Sequence, residues 1–395
     1  MARETVWQNR RSVKIAITAW TAFTPLDVID HAVVIVEDGR IVAAGSREAI
    51  DIPSGAHFIE LGECILAPGF IDIHIHGGAG HDVMAASRDG LARFERSLTN
   101  YGVTSYCPTT VTAPLDATCK SLAWLAESSR SPRDASRARP VGVHLEGPFI
   151  SHAKRGVHPP DKLLAPTPEL FDKLWEAAEG NVSVMTIAPE LPGALATIKA
   201  AAEKNVCVSL GHSNATHAET NAGIAAGGRH ATHTFNAMRP LDHREPGILG
   251  AVLSNDSVTA DMIVDGIHVH PDVVKLFLRA KGIDKAVLIT DAISATGMGD
   301  GKFRLGGLEV EVKGDRCEHN GVLAGSVLTL DRAVRNVQQF AELSLQQAVR
   351  LATLNPARAL GRDDLGIIAP GAGADFVVLS PQGEVQRTIL GDFIE

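Results

Sequence analysis

Eight short apolar runs alternate with helical patterns through the middle of this chain, and that alternation limits the folds open to it. The runs cover residues 65–75, 103–108, 141–145, 182–187, 206–210, 230–235, 258–264 and 286–289. Helical patterns fill most of the gaps, at residues 91–100, 117–129, 168–178, 193–204, 217–226 and 271–280. Repeated strand–helix–strand steps build a parallel sheet. We therefore expect an α/β fold with a (β/α)8 TIM barrel, and periodicity alone leaves a doubly wound open sheet as the alternative.

The two ends of the chain carry a different pattern, of short alternating strands. Residues 32–37 and 40–44 form a predicted hairpin with its turn at Asp38 and Gly39, and residues 374–380 and 385–390 form another. Because chain termini commonly lie close together, we expect both ends to build one small β-sandwich domain, from residues 1–66 and 359–395. The barrel then spans residues 67–358, with an inserted hairpin at 301–321 and two further helices at 327–341 and 345–353.

Composition and charge exclude several classes of protein. With 395 residues, 45% of them hydrophobic, the chain can bury a large core. A formal charge of −9 and a pI near 6.0 argue against a general nucleic-acid or anionic-membrane surface, because both need a basic footprint. No apolar run is long enough to span a bilayer. The five cysteines are scattered and never spaced as CxxC, which predicts a reducing, cytoplasmic location without a disulfide framework.

The string HIHG at 74–77 is the first sign of chemistry. His74 and His76 are two residues apart on a predicted strand, so both side chains point to the same face. A single histidine there would more often be a hydrogen-bonded core residue. Two at this spacing, followed by Gly77 and Gly78, favour metal ligands.

Three more candidate ligands lie where predicted strands end. Glu146, His212 and His233 would each, taken singly, be read as capping or surface residues. Because all strands of a parallel barrel end on one face, together they predict an open metal site of one carboxylate and two imidazoles. Asp291 ends the eighth strand and could act there as a general acid and base, with a helix cap or an ion pair as the alternative.

Longer strings point to a known family. PGFIDIHIHGG, NPAR at 355–358 and LGIIAPGAGADFVVLS resemble the amidohydrolase superfamily. HLEGPF, KRGVHPP, GHSNAT, ATHTFNAM, REPG, DGIHV and TDAISATG are similar to its N-acetylglucosamine-6-phosphate deacetylase family, over nearly the whole barrel and both flanks. The resemblance implies a (β/α)8 barrel with a small β domain, a homodimer, and removal of acetate from N-acetylglucosamine 6-phosphate.

The resemblance also implies roles for individual residues. Glu146, His212 and His233 match the family's main metal ligands, and Asp291 matches its acid/base. His74 and His76 allow a second ion that Glu146 would bridge, so one or two divalent ions are expected per subunit, Zn²⁺ first, with Fe²⁺, Mn²⁺ or Co²⁺ as alternatives. His158 matches the contact to the acetamide carbonyl. The remaining substrate-contacting or pocket-closing residues implied are Val157, Asn236, Ala237, Arg244, His268, Leu323, Ala324 and Gly325.

Other functions stay open at this stage. Another amidohydrolase, acting on a cyclic amide or an unphosphorylated N-acetyl amino sugar, would share the metal residues. A catalytically silent barrel used as a binding module is the alternative from a different class, because fold alone does not establish activity. Arg244 could bind the substrate phosphate, with His268, from its own subunit or from the neighbouring one, or it could form a solvated ion pair with Glu245.

Overall fold

The computed structural model describes residues 14–85, 87–130, 134 and 136–391. In chain order the strands are β1 (Lys14–Phe23), β2 (Val28–Glu37), β3 (Arg40–Ser46), β4 (His57–Glu60), β5 (Ile65–Pro68), β6 (Phe70–Ile75), β7 (Gly77–Gly78), β8 (His81–Asp82), β9 (Val103–Thr110), β10 (Arg139–Pro140), β11 (Val143–Glu146), β12 (Val182–Ile187), β13 (Cys207–Leu210), β14 (His230–Ala231), β15 (Ala260–Ile263), β16 (Ala286–Ile289), β17 (Gly301–Leu305), β18 (Leu308–Lys313), β19 (Arg316–His319), β20 (Val322–Leu323), β21 (Phe376–Leu379) and β22 (Val385–Ile389). The helices are α1 (Arg88–Thr99), α2 (Leu115–Ser129), α3 (Pro168–Ala177), α4 (Ala194–Glu203), α5 (His217–Ala226), α6 (Gly247–Ser254), α7 (Pro271–Lys281), α8 (Leu330–Ala341), α9 (Leu345–Leu351) and α10 (Leu354–Ala359). Within the described residues, no helix combines the length and the apolar character needed to cross a membrane.

Eight parallel strands form the barrel: β6, β9, β11, β12, β13, β14, β15 and β16. Strand β9 pairs with β6 and β11, and the pairing continues through β12 and β13 to β14, while β15 pairs with β16. The barrel closes where the N–H of Asp291, just beyond β16, donates to the carbonyl of His74 in β6 at 2.9 Å. The predicted (β/α)8 barrel is confirmed.

Side-chain caps fix where several of the helices begin. Ser87, Thr167, Thr216 and Ser344 each accept a hydrogen bond from the backbone N–H three residues further on, at 3.1–3.2 Å. These bonds satisfy N–H groups that have no partner inside the helix. The caps of α1, α3 and α5 therefore define where the loops that follow β8, β11 and β13 end.

The strand predicted at residues 65–75 and the helix α6 are among the elements of the barrel that differ from the sequence prediction. Residues 65–75 were expected to be one strand, but β5 belongs to the small domain and β6 to the barrel, with Gly69 between them. Any side chain at Gly69 would collide with Thr104, so this position marks a close crossing of two strands. The short helix α6 was not predicted, because its eight residues are almost all apolar and include Gly247 and Gly250, which hides the helical period.

The small β domain is built from both ends of the described chain, as expected. Its sheet runs in the order β22, β21, β5, β1, β2, β3, and it branches where β4 also pairs with β1. The turn between β2 and β3 places Asp38 and Gly39 at φ of 49° and 73°, the left-handed region that such a tight hairpin requires. Residues 1–13 and 392–395 of the predicted domain lie outside the described residues.

The predicted insertion after the eighth strand is a four-stranded antiparallel meander, β17–β20. Its buried Leu305, Val310 and Val312 pack in one cluster with Val111 and Ile293, which follow barrel strands. The Gly306 N–H also donates to Asp82 Oδ2 at 2.5 Å. The meander is therefore held against the barrel at the edge where strands β9 and β16 end.

Asn355, in the NPAR string, ties α10 to the entry of β16. Its two Nδ2 hydrogens serve the carbonyls of Ile283 and Ala286, each at 2.6 Å, and its side chain is almost completely buried. Strand β16 leads directly to Asp291, so this amide helps to set the position of a candidate catalytic residue from the opposite end of the strand.

We expect Asn355→Leu to lower the free energy of unfolding markedly, because leucine has a similar size but leaves two buried carbonyls without a donor. Each such group costs about 1–3 kcal/mol. The urea midpoint of the variant, compared with that of Asn221→Leu on the exposed face of α5, measures the effect. Equal midpoints for the two variants would show that Asn355 contributes little to stability.

Candidate metal centre and active site

Six buried polar side chains converge at the C-terminal edge of the barrel. His74 lies in β6 and His76 directly follows it, Glu146 ends β11, and His212, His233 and Asp291 lie just beyond β13, β14 and β16. All six are at most 8% exposed. Because each comes from the end of a strand, their backbones are fixed by the sheet.

Three of these residues have an unusual backbone conformation. The φ angles of His212, His233 and Asp291 are 45°, 28° and 51°, in the left-handed region that residues other than glycine rarely adopt. Such a conformation costs on the order of 1–3 kcal/mol and persists only where the surroundings enforce it. The chain turns sharply at the end of these three strands, and the turn aims each side chain into the cluster.

Glu146 lies at the centre of the cluster. Its Oε1 is 3.2 Å from Nε2 of both His212 and His233 and 3.4 Å from Nε2 of His74. Its Oε2 is 3.3 Å from Nε2 of His76 and 3.6 Å from Nε2 of His158. Oε1 therefore faces the imidazoles of His212, His233 and His74, and Oε2 faces those of His76 and His158.

Asp291 faces the other side of the HIHG pair. Its Oδ1 lies 3.4 Å from Nε2 of His74 and 3.1 Å from Nε2 of His76. Burial would raise the pKa of Asp291, but the charges of His74 and His76 and a hydrogen bond with His76 lower it to about 2. The carboxylate is consequently ionised at neutral pH.

The Nε2 of His212, which faces Glu146, is suited to a cation. Burial lowers the pKa of His212 to about 4, so the ring is neutral at pH 7, and its Nδ1 donates to the carbonyl of Lys154 at 2.8 Å. The Nε2 of His212 must then present a lone pair to Glu146. Burial also opposes ionisation of Glu146, yet the charge of His74 and the surrounding imidazoles lower its pKa well below the ordinary range. A lone pair facing an anion is stabilised by a positive ion between them, and nitrogen and oxygen donors suit zinc and similar divalent ions.

Outer contacts orient only some of the candidate ligands. His212 donates to the Lys154 carbonyl, and Nδ1 of His76 lies 3.1 Å from the carbonyl of Thr109. Metal-binding histidines usually make such a bond through their second nitrogen. Nδ1 of His74 and of His233, in contrast, is buried without a hydrogen-bond partner among the described residues. These two rings must be positioned in another way.

His158 lies at the rim of the cluster and is oriented by Thr112. Its Nδ1 is 2.8 Å from Thr112 Oγ1 and accepts the Thr112 N–H at 3.3 Å. Since Nδ1 is an acceptor, the neutral ring carries its hydrogen on Nε2, which points toward Glu146. The neighbouring Val157 is half-buried and packs against the cluster formed by the meander.

The predicted pocket residues on the later loops lie close to the same edge. Asn236 follows His233, and its buried Nδ2 has no partner among the described residues, so it is free to donate to a ligand. Ala237 accepts the Ser213 N–H at 3.0 Å, which brings its loop beside His212. At the end of β20, Leu323 is half-buried and Ala324 is buried, and a Cβ at Gly325 would lie 3.0 Å from the Asp291 carbonyl.

Arg244 and His268 lie on the loops after β14 and β15. Arg244 is exposed, and within the described chain its guanidinium has no ion pair; Glu245 instead accepts the backbone N–H groups of His217 and Gly247. The described structure does not form the alternative Arg244–Glu245 ion pair. His268 is held by Asp265, whose Oδ2 lies 2.7 Å from its Nδ1, so its Nε2 is left for another partner.

Sequence reasoning missed the residues that support the site. Thr112 orients His158, and Asp261 accepts the N–H of His233. Asp72 accepts the His74 N–H at 3.2 Å and the Thr290 hydroxyl at 2.6 Å. Asp72 and Asp261 carry a detectable signal, because each is a carboxylate inside an otherwise apolar strand run. Thr112 carries none.

Comparison with known proteins agrees with this geometry. Residues 65–392 match the model of the amidohydrolase family. An N-acetylglucosamine-6-phosphate deacetylase of Lysinibacillus sphaericus is 38% identical over 82% of this chain and 84% of its own length. An N-acetylgalactosamine-6-phosphate deacetylase of Escherichia coli O157:H7 is 39% identical over 82% of this chain and 85% of its own.

A solved structure extends the likeness to the whole fold. A mutant N-acetyl-D-glucosamine-6-phosphate deacetylase of Mycobacterium smegmatis, in complex with N-acetyl-D-glucosamine 6-phosphate, superposes with a TM-score of 0.89 at 36% identity. The superposition covers 96% of this chain and 98% of that one. The resemblance identified in the sequence is confirmed. The chain belongs to the metal-dependent amidohydrolase family and, within it, to the family of N-acetylglucosamine-6-phosphate deacetylases.

Proposed function

We propose that this protein hydrolyses the acetamide of N-acetyl-D-glucosamine 6-phosphate to D-glucosamine 6-phosphate and acetate, as part of amino-sugar catabolism or cell-wall recycling. The observation that carries the proposal is a buried cluster in a chain of this family, in which Nε2 of four histidines lies 3.2–3.4 Å from Glu146 and Asp291 lies 3.1 and 3.4 Å from two of them. Amide hydrolysis needs an activated water, a stabilised oxyanion and a proton for the leaving nitrogen. The cluster and its rim offer a group for each of these needs.

Glu146, His212 and His233 would hold the principal divalent ion, and His74 and His76 a second one shared through Glu146. A divalent ion in this position would act as a Lewis acid and would lower the pKa of a water molecule bound to it. The contacts of Glu146 Oε1 with His212 and His233 support the principal site, and its contacts with His74 and His76 support a second ion nearby. We propose Zn²⁺ as the native ion, since the donors are histidine nitrogens and carboxylate oxygens; Fe²⁺, Mn²⁺ or Co²⁺ would accept the same donors.

Asp291 is the proposed general acid and base. Its ionised Oδ1 accepts a proton from the attacking water and later delivers that proton to the sugar nitrogen. The step balances because the amine leaves with the proton that the water has lost. His158, with its hydrogen on Nε2, donates to the developing oxyanion, and Thr112 keeps the ring in that orientation.

The phosphate is proposed to bind Arg244 and His268. An exposed guanidinium without an ion-pair partner in the described chain can present two parallel donors to phosphate oxygens. The contact between His268 and Asp265 leaves the Nε2 of His268 for the same anion. Val157, Asn236, Ala237, Leu323, Ala324 and Gly325 are the proposed neighbours of the sugar.

We further propose a homodimer, in which Arg244 or His268 reaches the neighbouring subunit's site. The exposure of Arg244 and of Leu241 on the same loop supports a contact surface there. A cytoplasmic location is consistent with five free cysteines and with the phosphorylated substrate.

Two related activities remain competitors. The galactosamine-named relative at 39% identity makes the epimeric N-acetylgalactosamine 6-phosphate a substrate to test. An amidohydrolase acting on a cyclic amide or an unphosphorylated sugar would use the same cluster. A silent binding module is disfavoured, since the candidate ligands and Asp291 are all present and converge.

Acetate release after chelation and reconstitution tests the proposal as a whole. The purified protein is stripped of metal, reloaded with each divalent ion, and assayed on both phosphorylated epimers and on N-acetylglucosamine. We expect metal-dependent activity that is highest on N-acetylglucosamine 6-phosphate. Preference for the other epimer would reassign the substrate, and activity without any ion would exclude the proposed metal centre.

Asp291→Asn should keep the fold and the bound ion but lose at least about a hundredfold in kcat, because asparagine cannot accept the proton. Metal analysis and circular dichroism provide the controls, and steady-state acetate release gives the result. Near-normal turnover in this variant would remove Asp291 from the mechanism.

Glu146→Ala, His212→Ala and His233→Ala should each release the principal ion, because removing one of three protein ligands opens the site. His74→Ala and His76→Ala should affect only a second ion. Metal stoichiometry of each purified variant decides between these outcomes. If His74→Ala loses the principal ion while His212→Ala retains it, the ligand assignment is reversed.

Arg244→Ala should reduce kcat/KM for the phosphorylated sugar by about tenfold or more, which corresponds to the roughly 1.5–3 kcal/mol of a charge-assisted contact. The loss should fall mainly on KM, while activity on N-acetylglucosamine stays almost unchanged. Arg93→Ala, at an exposed position on α1, is the matched control. Equal losses on the two sugars would show that Arg244 supports the fold or the dimer instead.

A further inference from the structure

Strands β14 and β15 are neighbours in the barrel but do not form a regular ladder. Backbone hydrogen bonds join them at two places, from Thr259 N–H to the Arg229 carbonyl at 3.0 Å and from Thr234 N–H to the Asp261 carbonyl at 2.9 Å. The side chains of His230 and Asp261, which are 0% and 1% exposed, contact each other across this pair of strands.

Both oxygens of the Asp261 carboxylate accept hydrogen bonds. Its Oδ2 accepts a hydrogen bond from Nε2 of His230 at 2.9 Å, and its Oδ1 accepts the backbone N–H of His233. On the far side, Nδ1 of His230 lies 2.6 Å from Thr259 Oγ1. One chain of contacts therefore runs from Thr259 through His230 and Asp261 to the main chain of a proposed metal ligand.

His233 combines a positive φ with a ring that no outer contact orients. Its φ of 28° is a strained conformation, and a hydrogen bond to its N–H is one of the contacts that enforce it. Its ring has no outer partner among the described residues, whereas the ring of His212 is held by the Lys154 carbonyl. Since the ring is not oriented from outside, the position of its Nε2 depends on the backbone.

We propose that Asp261, itself held by His230, is a positioning residue that sets the metal affinity of the site through the main chain of His233. This rests on the proposed metal centre. Without Asp261, the His233 N–H is buried with no acceptor and the residue can relax toward negative φ. Its imidazole then turns away from Glu146 Oε1 and His212 Nε2, which now lie 3.2 and 3.0 Å from its Nε2.

A purely structural role would look different. Asp261 and His230 could simply close the gap between β14 and β15, in which case their loss would lower stability and leave the bound ion undisturbed. Glu95 offers a matched control for that case. It is also a buried carboxylate with a hydrogen-bonded partner, Tyr106 at 2.9 Å, but it lies in α1, outside the cluster.

The test compares wild type, Asp261→Ala, Asp261→Asn and Glu95→Gln. Affinity for Co²⁺ is measured by competition with a chelator, ligand geometry by the visible absorption of the Co²⁺-loaded protein, and stability by thermal unfolding of the metal-free protein. We expect Asp261→Ala to bind Co²⁺ about ten- to a hundredfold more weakly, with an altered spectrum. Asp261→Asn should recover most of the affinity, because its Oδ1 can still accept the His233 N–H. Glu95→Gln should change only the unfolding temperature.

An unchanged Co²⁺ affinity and spectrum in Asp261→Ala, with a stability loss like that of Glu95→Gln, would overturn the proposal. If Asp261→Ala does not fold, His230→Phe takes its place, since it removes the donor to Asp261 Oδ2 and keeps an aromatic ring. A weakened, spectrally altered Co²⁺ site in that variant supports the proposal, and an unaltered one overturns it. Wild type that binds no Co²⁺ would instead refute the metal centre itself.

Discussion

The structure depends on keeping one carboxylate ionised inside the barrel. Glu146 is buried, and burial alone would neutralise it, yet imidazoles from three different strands surround both of its oxygens and keep its pKa low. Burying these polar groups costs desolvation free energy, and a flexible loop would not hold them at the distances at which their mutual contacts offset that cost. The closed sheet holds the strand ends at fixed distances. Folding therefore offsets the desolvation free energy, and the site is organised before any ligand binds.

The strained strand ends are part of the same arrangement. His212, His233 and Asp291 all have positive φ, and each is restrained by hydrogen bonds of the surrounding main chain or side chains. For Asp291, the N–H donates to the His74 carbonyl, so the bond that closes the barrel also connects a proposed ligand to the proposed acid/base. Folding and site geometry are therefore coupled directly here. A change that weakens the barrel closure would also displace His74 and Asp291.

Much of this could be read from the sequence, and the part that could not has a physical reason. Apolar runs of strand length predicted the barrel, and histidines at strand ends predicted the cluster, because each signal is a local pattern in the sequence. The break at Gly69 and the short α6 were missed, since a close crossing and an all-apolar helix leave no period. Thr112 and Asp261 act through hydrogen bonds to residues 46 and 28 positions away, a pairing that only the folded chain defines.

The residues proposed for the metal site and those proposed to bind the phosphate lie on different parts of the fold. The proposed metal ligands and Asp291 lie in strands or within two residues of their ends, whereas Arg244 and His268 lie on longer loops and Arg244 is exposed. Loops can change without disturbing the sheet, so sugar recognition can diverge while the acetamide site is preserved. Relatives named for the glucosamine and the galactosamine 6-phosphates are 38% and 39% identical to this chain, so overall identity does not distinguish between the two epimers, and the discrimination must come from individual side chains near the sugar.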